Sequence, residues 1–204
     1  MKHAATDTAA AIKAAAKELF AKHGYSATTT RQIARAVSLQ AAAIYYHFRS
    51  KNEILLQLLS EGNQLLLKAA DEILTKEPAD PVRALRLLIN AHLRILADDS
   101  ALFTVLTREL KRLEGGQRTQ LLAERARYEQ IVQSLVRRGI EAGQLRPCEV
   151  KTVSFGIIGL LNSVALWYQK QGPLSLEQVA REYADMLFCG LSTDEARRIG
   201  APGA

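Results

Sequence analysis

The chain is poor in the residues on which catalytic, metal-binding and disulfide-stapled proteins rely. It has two cysteines, Cys148 and Cys189, far apart in sequence and without metal-ligand spacing. They read as small buried hydrophobes in a reducing compartment, not as a disulfide framework. The four histidines are His3, His23, His47 and His92. They form no His-Glu-x-x-His arrangement and no cysteine–histidine cluster, and both a Gly-x-Ser-x-Gly elbow and a phosphate-cradling glycine loop are missing. The sequence thus gives no expectation of an enzyme, a metal site or a cofactor. Long apolar runs are missing too. Residues 1–20 carry lysines throughout, unlike a signal peptide. The most apolar stretch, Val153 to Tyr168, is interrupted by Ser154, Asn162 and Ser163 and is short for a bilayer. A soluble cytoplasmic protein with no membrane partner is expected. Alternating strand patterns, internal repeats and low-complexity segments are also absent.

Apolar residues at helical spacing are plentiful. Hydrophobic residues make up 48% of 204 positions, enough for a sizeable core in one large or two small domains. The pattern predicts an all-α chain of about nine helices. The first, about 8–22, places Ile12, Ala16, Leu19 and Phe20 on one face and ends at Gly24. The threonine run 28–30 caps a short second helix with Ile33, Ala34 and Val37 inward. Ser38 and Leu39 make a turn, and the third helix runs about 40–47 with Ile44 and Phe48 inward. Ser50 with Glu53 forms a capping box for a long fourth helix, about 51–76. Its apolar face is read as Ile54, Leu55, Leu58, Leu59, Leu65, Leu66, Ala69 and Ile73. Pro78 and Pro81 break the chain. A fifth helix is expected over about 82–97, with Leu85, Leu88, Ile89, Leu93 and Leu96 inward. A sixth follows the cap Asp98-Asp99-Ser100 and ends before Gly115-Gly116, and a seventh runs about 118–142 up to Gly143. Pro147 suits the first turn of an eighth helix reaching Gln171. Ser175 with Gln178 caps a ninth, to about Leu191. The domain reading is 1–52, 53–195 and a disordered tail over 196–204.

Charge is unevenly placed. Residues 1–51 hold eight basic and two acidic side chains, whereas the other 153 residues hold 19 of each. The whole net charge of +6 therefore lies in the first quarter, which would steer a polyanion there. The same quarter contains two short helices around a tight turn. The second has a small face, Ala41 to Ala43, bounded by Tyr45, Tyr46 and His47, with Lys51 close behind. Little bulk at the base edges and donors at the phosphates suit an element entering the DNA major groove.

Thr29, Ile33, Ala34, Tyr45, His47, Phe48, Ser50 and Lys51, in that order and spacing, resemble the signature of the tetracycline-repressor-like (TetR/AcrR) transcriptional regulators. The resemblance covers about residues 10–60. It implies an N-terminal three-helix helix-turn-helix module and a C-terminal helical domain for effector binding and dimerisation. It further implies a homodimer on a palindromic double-stranded DNA operator, released by a small molecule. The turn departs from the family pattern, since Ser38 stands for the usual glycine, Gln40 for a serine and Ala42 for a glycine. Gln40 at the helix tip is suited to an adenine edge, and Ala41, Ala42 and Ala43 to thymine methyls. Arg31 is placed to reach a guanine or a phosphate. Thr30, Tyr45, Tyr46, His47 and Lys51 are phosphate candidates by analogy with matching positions. Core packing is the alternative for Tyr45, and a helix C-terminal charge role for His47. Arg35 reads as a solvated side chain.

In the C-terminal domain, Gly156, Gly159 and Ser163 lie near one face of the eighth helix. Leu176, Val179, Ala180, Tyr183, Leu187 and Leu191 form a stripe on the ninth. These two helices suggest a four-helix dimer interface, with intramolecular core as the alternative. A small hydrophobic or aromatic effector would sit among Phe103, Tyr128, Phe155 and Trp167. His92, Arg108 and Asn162 are polar residues inside apolar patterns that a ligand would satisfy. Ordinary core is the alternative for the four aromatics, and a protein hydrogen bond or exposure for the three polar residues. The function expected is a ligand-responsive DNA-binding regulator acting as a repressor. An all-helical protein-interaction adaptor would explain the helices but not the confinement of charge to residues 1–51.

Overall fold

The computed structural model describes residues 2–76, 79–109, 115–169 and 171–191, and only the backbone of residues 2–6, 115 and 117. Among these residues there are nine α-helices and no β-strand. In order they are α1 (Lys2–His23), α2 (Thr30–Ala36), α3 (Ala41–His47), α4 (Lys51–Lys76), α5 (Pro81–Asp98), α6 (Ser100–Glu109), α7 (Gly115–Glu141), α8 (Val150–Trp167) and α9 (Leu176–Leu191). They form two compact units. Unit 1 holds Met1–Gln64 and Asp99–Glu124, and unit 2 holds Leu65–Asp98 and Arg125–Ala204. This division differs from the sequence boundary at 52, because the first half of α4, α6 and the start of α7 join the first unit.

Local chemistry sets the helix ends. Gly24, at φ +81°, ends α1 where its N–H reaches the Phe20 carbonyl at 2.9 Å. Thr29 caps α2 by accepting from the Gln32 N–H at 3.2 Å, and Gln32 Oε1 accepts the Thr29 N–H in return at 2.7 Å. Ser50 accepts from the Glu53 N–H at 3.2 Å, but the Glu53 carboxylate reaches back to the Arg49 N–H rather than to Ser50. Asp80 caps α5 through the N–H groups of Val82 and Arg83, with Pro81 at the first helical position. Gly143, at φ +69°, closes α7, with the Gln144 N–H on the Gly139 carbonyl. Ser175 and Gln178 form the reciprocal box at α9.

Three readings are corrected. The eighth helix does not include Pro147. It begins at Val150, capped by Glu149 Oε2 on the Thr152 N–H at 2.5 Å, and ends at Trp167. The preceding segment is held elsewhere, since Arg146 donates through its N–H to the Leu191 carbonyl and through Nε to that of Gly190, satisfying the end of α9. On α4, Leu65 is exposed, and Leu67 and Ala70 are buried. The buried line from Leu55 through Leu59, Gly62 and Leu66 to Ala70 keeps helical spacing and leaves Leu65 off the face. The first helix starts earlier than residue 8. The break at Pro78, the end of the sixth helix beyond Glu109, and the tail 196–204 lie outside the described residues.

Unit 1 buries Ile12, Ala16 and Phe20 of α1 against Ile33, Ala34, Ile44 and Phe48. Ile54, Leu55, Leu58 and Leu59 of α4, Leu102 and Val105 of α6 and Leu121 of α7 complete that core. Gly62 lets α6 approach α4, because a Cβ there would sit 2.3 Å from Leu106 Cδ1. In unit 2, α5 packs on α8 and α9. All five expected residues of its inward face are buried.

Candidate nucleic-acid interface

The turn between α2 and α3 is built without its customary glycine. Ser38 adopts φ +56°. Around it the Leu39 N–H bonds the Ala34 carbonyl at 2.8 Å and the Ser38 N–H bonds that of Arg35 at 3.2 Å. These two bonds complete a Schellman closure of α2, and Ile33, Ala34, Ile44 and Phe48 anchor both helices from below. The hydrogen bonds hold a serine in a region that costs an L-residue roughly 1–2 kcal/mol.

The opposite face of α3 points to solvent. Gln40 occupies the N-cap position, makes no side-chain capping bond and is exposed. Ala42 is exposed, and Ala41 and Ala43 are half-buried. Tyr46 is 83% exposed and Tyr45 56%, so Tyr45 is not a core residue. The Tyr45 hydroxyl lies 3.3 Å from Thr30 Oγ1, joining α3 to the start of α2. His47 is half-buried, edge-on to the Tyr46 ring. Arg31 and Arg35 are exposed on α2. Lys51 is placed differently from the others. Its ammonium donates to the carbonyls of Tyr25 at 2.7 Å and Thr28 at 2.6 Å. Two of its three donors are thereby committed to the α1–α2 loop.

In unit 2, three of the sequence-derived effector residues come together. The Tyr128 hydroxyl is 2.9 Å from His92 Nδ1, and Asn162 Oδ1 is 3.2 Å from His92 Nε2. Since an amide oxygen only accepts, Nε2 carries the proton and Nδ1 accepts from the phenol. Burial lowers the His92 imidazole to about 4, against a smaller upward pull from the Asn162 hydrogen bond. Burial pushes the Tyr128 phenol well up. The histidine is neutral at pH 7. Phe155 and Trp167 are surface residues of α8, 41% and 42% exposed. Arg108 is exposed, and Phe103 is buried but belongs to unit 1.

The dimer stripe also divides. Val179, Ala180 and Leu191 are buried within their own unit, while Leu176, Tyr183, Leu187 and Ser163 are half-buried. Gly156 and Gly159 face open space, with nothing within 4 Å of an added Cβ. Leu166 and Met186, both more than half exposed, add apolar surface that the sequence reading passed over. Both keep helical spacing, Met186 three residues after Tyr183 of the stripe and Leu166 three after Ser163. Among the described residues no three His, Cys, Asp or Glu side chains gather as a metal site.

A short helix with a small, exposed face, pinned by a tight turn to a second helix and set in the basic part of the chain, defines a helix-turn-helix DNA-binding protein. Residues 12–58 match the bacterial regulatory proteins of the tetR family, and residues 78–191 match the tetracyclin repressor-like C-terminal domain. The chain belongs to the TetR family of bacterial transcriptional regulators. It is 27% identical to the HTH-type transcriptional repressor KstR2 of Mycobacterium tuberculosis over 181 residues, 88% of this chain and 90% of the relative. It is 25% identical to the fatty acid metabolism regulator protein of Bacillus subtilis over 179 residues, 87% and 92% of the two chains. The crystal structure of the TetR family transcriptional regulator PfmR from Thermus thermophilus superposes with a TM-score of 0.81 at 34% identity, covering 89% of this chain and 99% of that one.

Proposed function

We propose that the chain is a cytoplasmic, non-catalytic repressor that binds an inverted-repeat operator as a homodimer and releases it when a small apolar molecule binds unit 2. One observation carries the DNA reading: the exposed face of α3, with Gln40 at its tip and Ala42, Tyr45 and Tyr46 outward, lies within the part of the chain that holds all its net charge. An adaptor accounts for the helices and not for that coincidence. Base reading is assigned to Gln40, Arg31 and Ala41 to Ala43, and phosphate contact to Thr30, Tyr45, Tyr46 and His47. Lys51 belongs with the scaffold beneath them.

The dimer is assigned to α8 and α9. Support comes from Gly156 and Gly159, which would let a partner helix approach closely, and from the exposed side chains of Phe155, Leu166, Trp167 and Met186. The effector is assigned an apolar body and one hydrogen-bonding group that exchanges with the His92–Tyr128–Asn162 network. A relative named for fatty acid metabolism agrees with an apolar ligand. Such a ligand releases DNA only through unequal affinity for the DNA-bound and free forms. The test is a salt titration of the full chain on a duplex selected from random sequence. Affinity should fall by about 10³-fold or more between roughly 50 and 200 mM salt, and salt-independent binding would contradict the reading.

A further inference from the structure

Glu109, on α6, is a carboxylate held out of water. Its side chain is 4% exposed. Its Oε1 accepts the Tyr25 N–H at 3.1 Å and faces Gly24, where an added Cβ would lie 3.7 Å from it. Tyr25 is the second residue of the α1–α2 loop. Its carbonyl and its ring both meet the Lys51 ammonium, which also takes the carbonyl of Thr28. Thr28 is itself buried, its hydroxyl donating toward the carbonyls of Gly24 and Leu19, and the next residue, Thr29, caps α2. An unbroken set of short contacts therefore runs from Glu109 of α6 through Tyr25 and Lys51 to the first turn of α2. At its N-terminus α6 is tied by Asp99, which caps it through the Leu102 N–H and receives Lys17 of α1 at 2.5 Å.

We propose that Glu109 is a positioning residue for DNA binding: its carboxylate fixes the α1–α2 loop, and with it the start of α2 and the seat of α3. The role rests on the DNA-binding reading and deepens it. A carboxylate this buried costs stability unless it is hydrogen-bonded, and one of its contacts, the Tyr25 N–H, falls on the loop that leads into the reading helices. Glutamine at 109 keeps an oxygen acceptor, whereas alanine removes it.

The experiment compares full-length wild type, Glu109→Gln and Glu109→Ala on the inverted-repeat duplex that wild type selects from random sequence. It also follows hydrogen exchange at the Tyr25 amide. Glu109→Ala should bind about tenfold more weakly, the scale of one charge-assisted hydrogen bond, while Glu109→Gln stays within about threefold. The salt slope should match wild type in both, because no phosphate contact is removed. The Tyr25 amide should be protected in wild type and Glu109→Gln relative to exposed Ala27, and lose protection in Glu109→Ala. Equal loss of affinity in both variants, or wild-type affinity in Glu109→Ala, overturns the proposal. If Glu109→Ala fails to fold, the wild-type exchange decides: a Tyr25 amide as fast as that of Ala27 overturns it. A wild type that selects no duplex sinks the DNA reading instead and leaves the exchange result to judge the loop contact.

Discussion

The Lys51 ammonium lies 4.1 Å from the centre of the Tyr25 ring while donating to the carbonyl of the same residue at 2.7 Å. A side chain that sequence analogy assigns to a phosphate is thus bound into the protein's own loop. The two roles give different results on substitution. Lys51→Met should destabilise the fold by about 2–3 kcal/mol, since two charge-assisted bonds to carbonyls are lost. It should leave the slope of log affinity against log salt nearly unchanged. A lysine on a phosphate would instead flatten that slope by about 0.9 with little loss of stability. Thermal denaturation and a salt titration of one variant separate the cases.

Ser38 at φ +56° sits where glycine is free of strain. Relief of roughly 1–2 kcal/mol of left-handed strain outweighs glycine's extra backbone entropy of about 0.5–1 kcal/mol. Ser38→Gly should therefore raise stability by about 0.5 kcal/mol, and Ser38→Val should lower it by more than about 1 kcal/mol. Denaturant midpoints read this directly, and a destabilised Ser38→Gly would show that the serine side chain contributes to the turn.

Gly62 admits Leu106 into the face of α4. Gly62→Ala gains about 1 kcal/mol of helix propensity but drives a methyl into Leu106 Cδ1. The clash meets the end of a flexible side chain, so the net loss should be about 1–2 kcal/mol, not an unfolded protein. Shortening the neighbour in Gly62→Ala/Leu106→Val should recover most of that loss. Additive losses in the double variant, measured by denaturation, would place the cost elsewhere.

His92 is neutral in the fold, with its pKa lowered from 6.5 to about 4 by burial. The unfolded chain binds this proton more readily, so stability is fully present above about pH 6.5 and declines as pH falls toward 4. The contribution is on the order of 3 kcal/mol across that window. His92→Gln should flatten the decline relative to wild type, the difference isolating this residue from titrating carboxylates. Parallel stability–pH curves for the two proteins would contradict the buried neutral histidine.

The helical fold was legible because burial follows spacing. All five inward residues expected on α5 are buried, and the capping pair Ser175–Gln178 is present. Leu65 and Pro147 were misread for different reasons. Leu65 satisfies a loose helical count but lies off the line that Gly62 sets, and a glycine gives no hydrophobic signal. Pro147 is an ordinary first-turn residue by local rules, yet Arg146 is held by the end of α9, more than forty residues away in sequence. At the site, the turn and the outward face of α3 were readable from residue type and order. The commitment of Lys51 to the Tyr25 and Thr28 carbonyls was not, because sequence does not show which acceptors surround an ammonium. Glu109 was passed over for the same reason, its partner being a backbone N–H 84 residues distant.

The central claim is that the exposed face of α3 reads DNA sequence, and selection of duplexes from a random pool by wild type and Gln40→Ala tests it most directly. Wild type should enrich an inverted repeat whose half-sites lie about 34–36 Å apart along one face of the duplex. Gln40→Ala should change the preferred base at one position in each half-site, by roughly 1–3 kcal/mol, and leave the other positions as they were. An enriched sequence without inverted symmetry, or a Gln40→Ala protein that weakens on every duplex alike with the same preference, would contradict the claim.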